Sequence, residues 1–179
     1  MIKKALIFFS CLLFFFLIPP AFYFLNSQPD SFNQDGVEYN LPYPGILPDH
    51  PLFFIKKIRD KILEWTTRDS LKKADLYLLF SDKRIAMAMV LAKNGKDKHA
   101  VTAFMQGEQY FSKIPPLVET SKKQGVTASS DFIQRLKLSS AKHKEVGKMF
   151  LRDLPQGQSE SVNRTLDLNQ QIKKRIERL

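Results

Sequence analysis

The sequence predicts an all-α protein: an N-terminal membrane helix, a proline-rich linker, then an exported antiparallel bundle of about four or five helices. Three observations carry this. A charge-free apolar run opens the chain. Beyond it, apolar residues recur three and four apart, and no stretch of useful length alternates as a strand would. Proline, glycine and small polar residues fall between the periodic segments, where helices must stop. The segments are residues 1–25 (signal or anchor), 26–50 (linker), 51–153 (helical domain) and 154–179 (C-terminal amphipathic helix).

From Ala5 to Leu25 the chain holds no charged residue, enough to cross a hydrocarbon core of about 30 Å as a helix. Pro19 and Pro20 would bend or end such a helix. A basic start and an apolar core suit a secretory signal as well, but no small-residue cleavage pattern follows Pro20-Ala21, and Phe22 to Leu25 prolong the run. An uncleaved anchor is the reading; a secreted, cleaved form is the alternative. Lys3 and Lys4 precede the run, and the next basic residue is Lys56, so the N-terminus is expected inside and everything after Asn26 outside. Cys11, the single cysteine, lies within the run and reads as a membrane-buried thiol, leaving the exported part without disulfides.

Asn26 to Gly36 is rich in turn formers. The next stretch differs: Pro42, Pro44 and Pro48 favour extended backbone, with Tyr39, Tyr43, Gly45 and Ile46 among them. These seven residues form a candidate strap, either packed back on the first helices or offered to a partner. Pro51 suits a first helical turn, capped by Asp49 or His50. Phe54, Ile58, Ile62 and Trp65 then make one face, expected to be buried. Asp69 caps a second helix. Leu76 to Phe80 is apolar nearly all round, so this helix should be central, ending at Asn94-Gly95. A third helix from about Asp97 places Ala100, Val101, Phe104, Glu108 and Phe111 at helical spacing, and Pro115-Pro116 should break it. A loop around Gly125 leads to a fourth helix capped within Ser129 to Asp131, with Phe132, Leu136, Ser140, His143, Val146 and Phe150 on one face. The last helix carries Val162, Leu166, Asn169, Ile172, Ile176 and Leu179, a coiled-coil-like seam with a polar Asn169 in it; it could close within the chain or pair two copies.

LPYPGILPDHPLFFIKKIRDKI, followed by LKKADLYLLFSDKRIAMA, resembles the bacterial domain of unknown function 5667. The matching positions are Leu41 to Leu52, then Ala74, Tyr77, Asp82, Lys83 and Arg84 on the second helix. The resemblance, over about Tyr39 to Ile114, implies an exported helical domain without an assigned activity, and brings no catalytic residue or cofactor with it.

Chemistry-bearing patterns are sparse. His50, His99 and His143 sit in no metal-ligand spacing and read as a cap and two surface or half-buried helix residues. Ser70 with Lys73, and Ser139 with Lys142, match S-x-x-K without the companion elements of that class. Asp75 and Asp82 lie two turns apart on roughly one face of the second helix, and read as partners of Lys72, Lys83 and Arg84. No catalytic residue, metal or cofactor is expected.

The net charge is +10, and all but +1 of the charge beyond Ser27 falls after residue 95. Arg135, Lys137, Lys142, Lys144, Lys148, Arg152, Lys173 and Lys174 form a candidate basic face. Such a face attracts wall polymers or lipid headgroups in a salt-dependent way, but no recognition motif points to nucleic acid. The expectation is a membrane-tethered interaction or structural module at the cell envelope, with an unknown envelope protein or anionic polymer as partner; the alternative is a polyanion binder working through its basic C-terminal helices.

Overall fold

The computed structural model describes residues 36–179. The apolar run and residues 26–35 of the linker lie outside the described residues, and with them the membrane helix expected at 5–25. Among the described residues, no helix is long and apolar enough to cross a membrane.

All regular structure in this part is helical: α1 (Phe53–Thr66), α2 (Ser70–Lys93), α3 (Asp97–Phe111), α4 (Ile114–Lys123), α5 (Ser130–Asp153), a 3-10 turn (Gln156–Gln158) and α6 (Ser159–Ile176). The helix beyond the expected four or five is α4. Pro115 and Pro116 do end the preceding periodicity, but they do so by starting a new helix. Proline is tolerated in a first turn, because the amide hydrogens it lacks would have had no partner there. Only Ser112 and Lys113 separate α3 from α4.

The caps follow from local chemistry. The Asp69 carboxylate accepts the Lys72 amide at 2.8 Å, and the Ser129 hydroxyl accepts the Phe132 amide at 3.2 Å. At the end of α2, Gly95 takes φ +69°, and the Gly95 and Lys96 amides turn back to the carbonyls of Ala92 and Leu91. Gly125 does the same for α4, with φ +83°. Both are six-residue helix stops that need a positive φ, hence glycine. Pro51, expected in the first turn of α1, instead lies in the turn before it, where the His50 ring accepts the Leu52 amide.

Helix α2 is central. It packs most extensively on α3 and also touches α4 and α5, while α6 packs on α5 and α3. Two apolar clusters form the core. One holds Ile85, Met87, Leu91, Phe104, Phe150 and Val162; the other holds Tyr77, Leu78, Phe111, Leu136, Ile172 and Ile176. Each fully buried side chain of this size contributes about 1.5–3 kcal/mol. The order of the clusters along the chain gives the topology. Helices α2 and α5 run from the second cluster to the first, and α3 and α6 run back, so these four alternate in direction. The seam of α6 faces inward: Val162, Asn169, Ile172 and Ile176 are all buried within their own chain.

Helix α1 is turned the other way from expectation. Its buried residues are Lys56 and Asp60, while Phe54, Ile58, Ile62 and Trp65 face solvent, Trp65 at 80% exposure. Polar partners hold it in this orientation. Lys56 donates to the Pro44 carbonyl at 2.8 Å, and Glu64 accepts the Tyr77 hydroxyl at 2.7 Å. Lys113 of the α3–α4 connection adds a contact to Glu64 at 3.5 Å.

Candidate functional site

Between the two apolar clusters lies a polar layer. On α2 it is Asp82, between Leu78 and Ile85; on α3 it is Glu108, between Phe104 and Phe111. On α5 it is Ser139 and His143, between Leu136 and Val146; on α6 it is Asn169, between Val162 and Ile172. All five side chains are buried.

His143 is the hub. Its Nδ1 lies 2.7 Å from Glu108 Oε1 and its Nε2 lies 3.0 Å from Asp82 Oδ1. Both nitrogens face carboxylates, so the doubly protonated ring is the form that donates to each. Burial alone would pull the imidazole down; the Glu108 and Asp82 carboxylates overcome this and hold it at about 9. The Ser139 hydroxyl donates to Asp82 at 2.7 Å. The Asn169 amide donates to the Ser140 carbonyl at 3.2 Å and faces Glu108 at 3.3 Å. The Phe111 ring packs 5.0 Å from the imidazole.

The strap closes the layer. The Tyr39 hydroxyl donates to the second oxygen of Asp82 at 2.6 Å. Burial, then the Asp82 charge, pushes that hydroxyl above its ordinary range, so it keeps its proton. The Val37 amide donates to Glu145 on α5 at 2.8 Å, and Pro44 is buried where Lys56 reaches its carbonyl. Leu41, Leu47 and Phe53 pack against the first apolar cluster. Burial draws the Lys56 ammonium down to about 7. Pro42 and Pro48 are half-buried, Gly45 takes φ +70°, and Tyr43 and Ile46 remain 41% exposed.

Chemically the layer is a charge lock. Ser139, His143 and Asp82 are the residue types of a hydrolytic triad, and Ser139 Oγ lies 3.2 Å from His143 Nε2. The arrangement does not suit nucleophilic attack. The serine donates to the aspartate, the imidazolium has no free lone pair to take a proton, and every member is closed off from solvent.

The family-like residues of α2 serve the interior. Ala74, Tyr77 and Arg84 are buried, Lys83 is half-buried, and Asp82 enters the lock. Burial lowers Arg84, whose guanidinium lies 4.9 Å from the Phe53 ring centre. Asp75 does not join Asp82. It is exposed and pairs with Arg135 at 3.0 Å, beside a shallow groove of about 300 Å³ lined also by Leu71, Ala128 and Phe132.

One member of the candidate basic face turns inward. Lys142, expected in solvent, is buried against Glu145 at 2.7 Å. Arg135 meets Asp75 and Asp131, Arg152 meets Asp153, and Lys173 meets Glu177. Lys137, Lys144, Lys148 and Lys174 are exposed. His143, read from the sequence as surface or half-buried, is fully enclosed. The signal for it was present: His143, Glu108 and Asn169 each interrupt a mainly apolar stripe of its helix.

No curated protein and no solved structure matches the chain. The family model described as Domain of unknown function (DUF5667) matches residues 45–179. That match takes in the α2 motif, the lock residues Glu108, Ser139, His143 and Asn169 beyond it, and the C-terminal helices past Ile114, while Tyr39 precedes it. By this match over most of its length, the chain belongs to the DUF5667 family.

Proposed function

We propose that this protein is a membrane-tethered helical module on the outer side of the membrane, acting through interaction or structure rather than catalysis. One observation supports it above the others: the second half of the linker is fastened to the helical body. Val37, Tyr39 and Pro44 each bond to a different helix, on Glu145, Asp82 and Lys56. A chain tethered through residues 5–25 would thereby be held at the buried lock of the bundle from Val37 onward.

The test is a topology map in bacterial cells. With Cys11 replaced by serine, a cysteine at exposed Lys144 is treated with a membrane-impermeant maleimide. Labelling of intact cells, with the chain retained in carbonate-washed membranes, is expected. Labelling only after lysis would overturn the outward orientation, and release by carbonate would overturn the tether. A photo-crosslinking residue at half-exposed Tyr43 then identifies an envelope partner. The polyanion-binding alternative loses Lys142, which is buried against Glu145, while its other basic groups stay at the surface. Firm retention on heparin at low salt would favour it.

A further inference from the structure

We infer that α1 is an interfacial helix that lies on an anionic lipid surface with its outward apolar face in the headgroup–acyl boundary. Folding ordinarily buries the apolar side of an amphipathic helix. Here the body takes the polar side: Lys56, Asp60 and Glu64, with Phe53, face inward. The side left in solvent is Phe54, Ile55, Ile58, Ile62 and Trp65, each more than half exposed. At 100° per residue these five fall within one arc of about 100°.

Two features of the helix and its tether select lipid as the occupant. The first is charge at the margins. Lys57 and Lys61 border the arc on one side and Arg59 on the other, all exposed, Lys61 also meeting Glu64 at 3.3 Å and Arg59 meeting Asp60 at 2.6 Å. Long basic side chains flanking an apolar strip with tryptophan and phenylalanine keep their charges at the headgroups while the strip goes under. A protein groove built to cover this strip would need acidic groups on both flanks; an anionic bilayer supplies them on every side. The second is reach. In the tethered reading proposed above, on which this inference rests, the charge-free run ends at Leu25 and the chain is bonded to the body at Val37. Twelve residues extend at most about 40 Å. The body therefore stays beside the bilayer, where a weak interfacial helix needs little affinity of its own.

Trp65 is the only tryptophan, and it lies within the arc. The full chain is reconstituted into vesicles of phosphatidylcholine and phosphatidylglycerol, and flotation and Trp65 emission are read separately. The expected result is a blue-shifted emission, shielded from aqueous acrylamide and quenched by lipids brominated in the acyl chain. The double variant Ile58→Asp, Ile62→Asp should lose the shift and the bromolipid quenching yet still float. A second pair, Lys57→Glu with Lys61→Glu, should weaken quenching on phosphatidylglycerol and leave the fold unchanged by circular dichroism.

A floating chain whose Trp65 stays open to acrylamide overturns the inference and leaves the tether standing. Quenching of the unaltered chain together with failure of the double variant to float supports the inference and overturns the tether. Shielding from acrylamide without bromolipid quenching means protein covers the strip, and overturns the inference. Dependence on chain density then identifies a second copy, and independence of it identifies the chain's own N-terminal segment.

Discussion

His143 makes the stability of the bundle fall as pH rises through the alkaline range. In the folded chain the imidazolium is held by Glu108 and Asp82, and its proton leaves at about 9 instead of the ordinary 6.5. Between those values the folded state holds a proton that the unfolded state has released, so stability is full below the lower value and is lost on passing the upper one. At about 1.4 kcal/mol for each pH unit, the separation between 6.5 and about 9 amounts to about 3 kcal/mol. That is a large share of the total for a domain of this size. Lys56 works against it. Burial draws that ammonium down to about 7 from 10.5, so its unfolded form holds the extra proton and stability rises with pH. The assay therefore uses residues 31–179 carrying Lys56→Met, unfolded in guanidinium at a series of values from about pH 6 to about pH 9. This range stops short of the tyrosines, whose hydroxyls at Tyr39, Tyr77 and Tyr110 are all pushed upward by burial. Unfolding free energy should fall by most of the 3 kcal/mol, and the slope should vanish when His143→Gln is added. A flat or rising profile in the Lys56→Met background would refute a protonated hub.

Four further outcomes follow from the same contacts. Tyr39→Phe removes a donor from a buried carboxylate and should cost about 1.5–3 kcal/mol, read as a lower melting temperature and faster proteolysis in the strap. Glu108→Gln strips the imidazolium of one of its two carboxylates; it should destabilise by about 3–5 kcal/mol and bring the His143 titration, followed by NMR, down toward neutrality. Gly107→Ala would set a methyl 2.7 Å from Ile85 and 3.3 Å from the Ser81 carbonyl where α3 crosses α2, and should cost about 1–3 kcal/mol in denaturant titration. Lys148→Glu, on the exposed side of α5, should leave the transition within about 0.5 kcal/mol of the parent.

Much of the helical framework is written in local spacing and punctuation. Asp69, Ser129 and Gly95 act by their own side chains or lack of one, and all three stand where the sequence puts them. The stripe of α5 and the seam of α6 face the core for the same reason. Pro115-Pro116 was ambiguous because proline both ends one helix and begins another; only the surrounding packing decides which. The lock was half legible. Polar residues in three apolar stripes announce a buried layer, but which of them meet depends on helix order and direction, which one helix at a time cannot reveal. Tyr39 joins Asp82 across forty-three positions, far outside any local pattern. Helix α1 misled for a different reason. Its periodicity correctly marks two faces, yet which face the body takes was settled by Pro44, Tyr77 and Lys113, not by hydrophobicity.

The polar layer also bears on the order in which the chain can assemble. Its parts come from α2, α3, α5 and α6, so Asp82 and Glu108 emerge early while their cation, His143, comes later and Asn169 later still. Closing the early helices on each other would strand two carboxylates without a counter-charge, which is costly away from water. A growing chain is thus discouraged from collapsing before α5 arrives. Tyr39, made before any of the helices, must wait for Asp82 and Ser139 to be brought together before its seat exists. The first described segment to leave the ribosome thus has its side-chain seat completed only once α5 has been made.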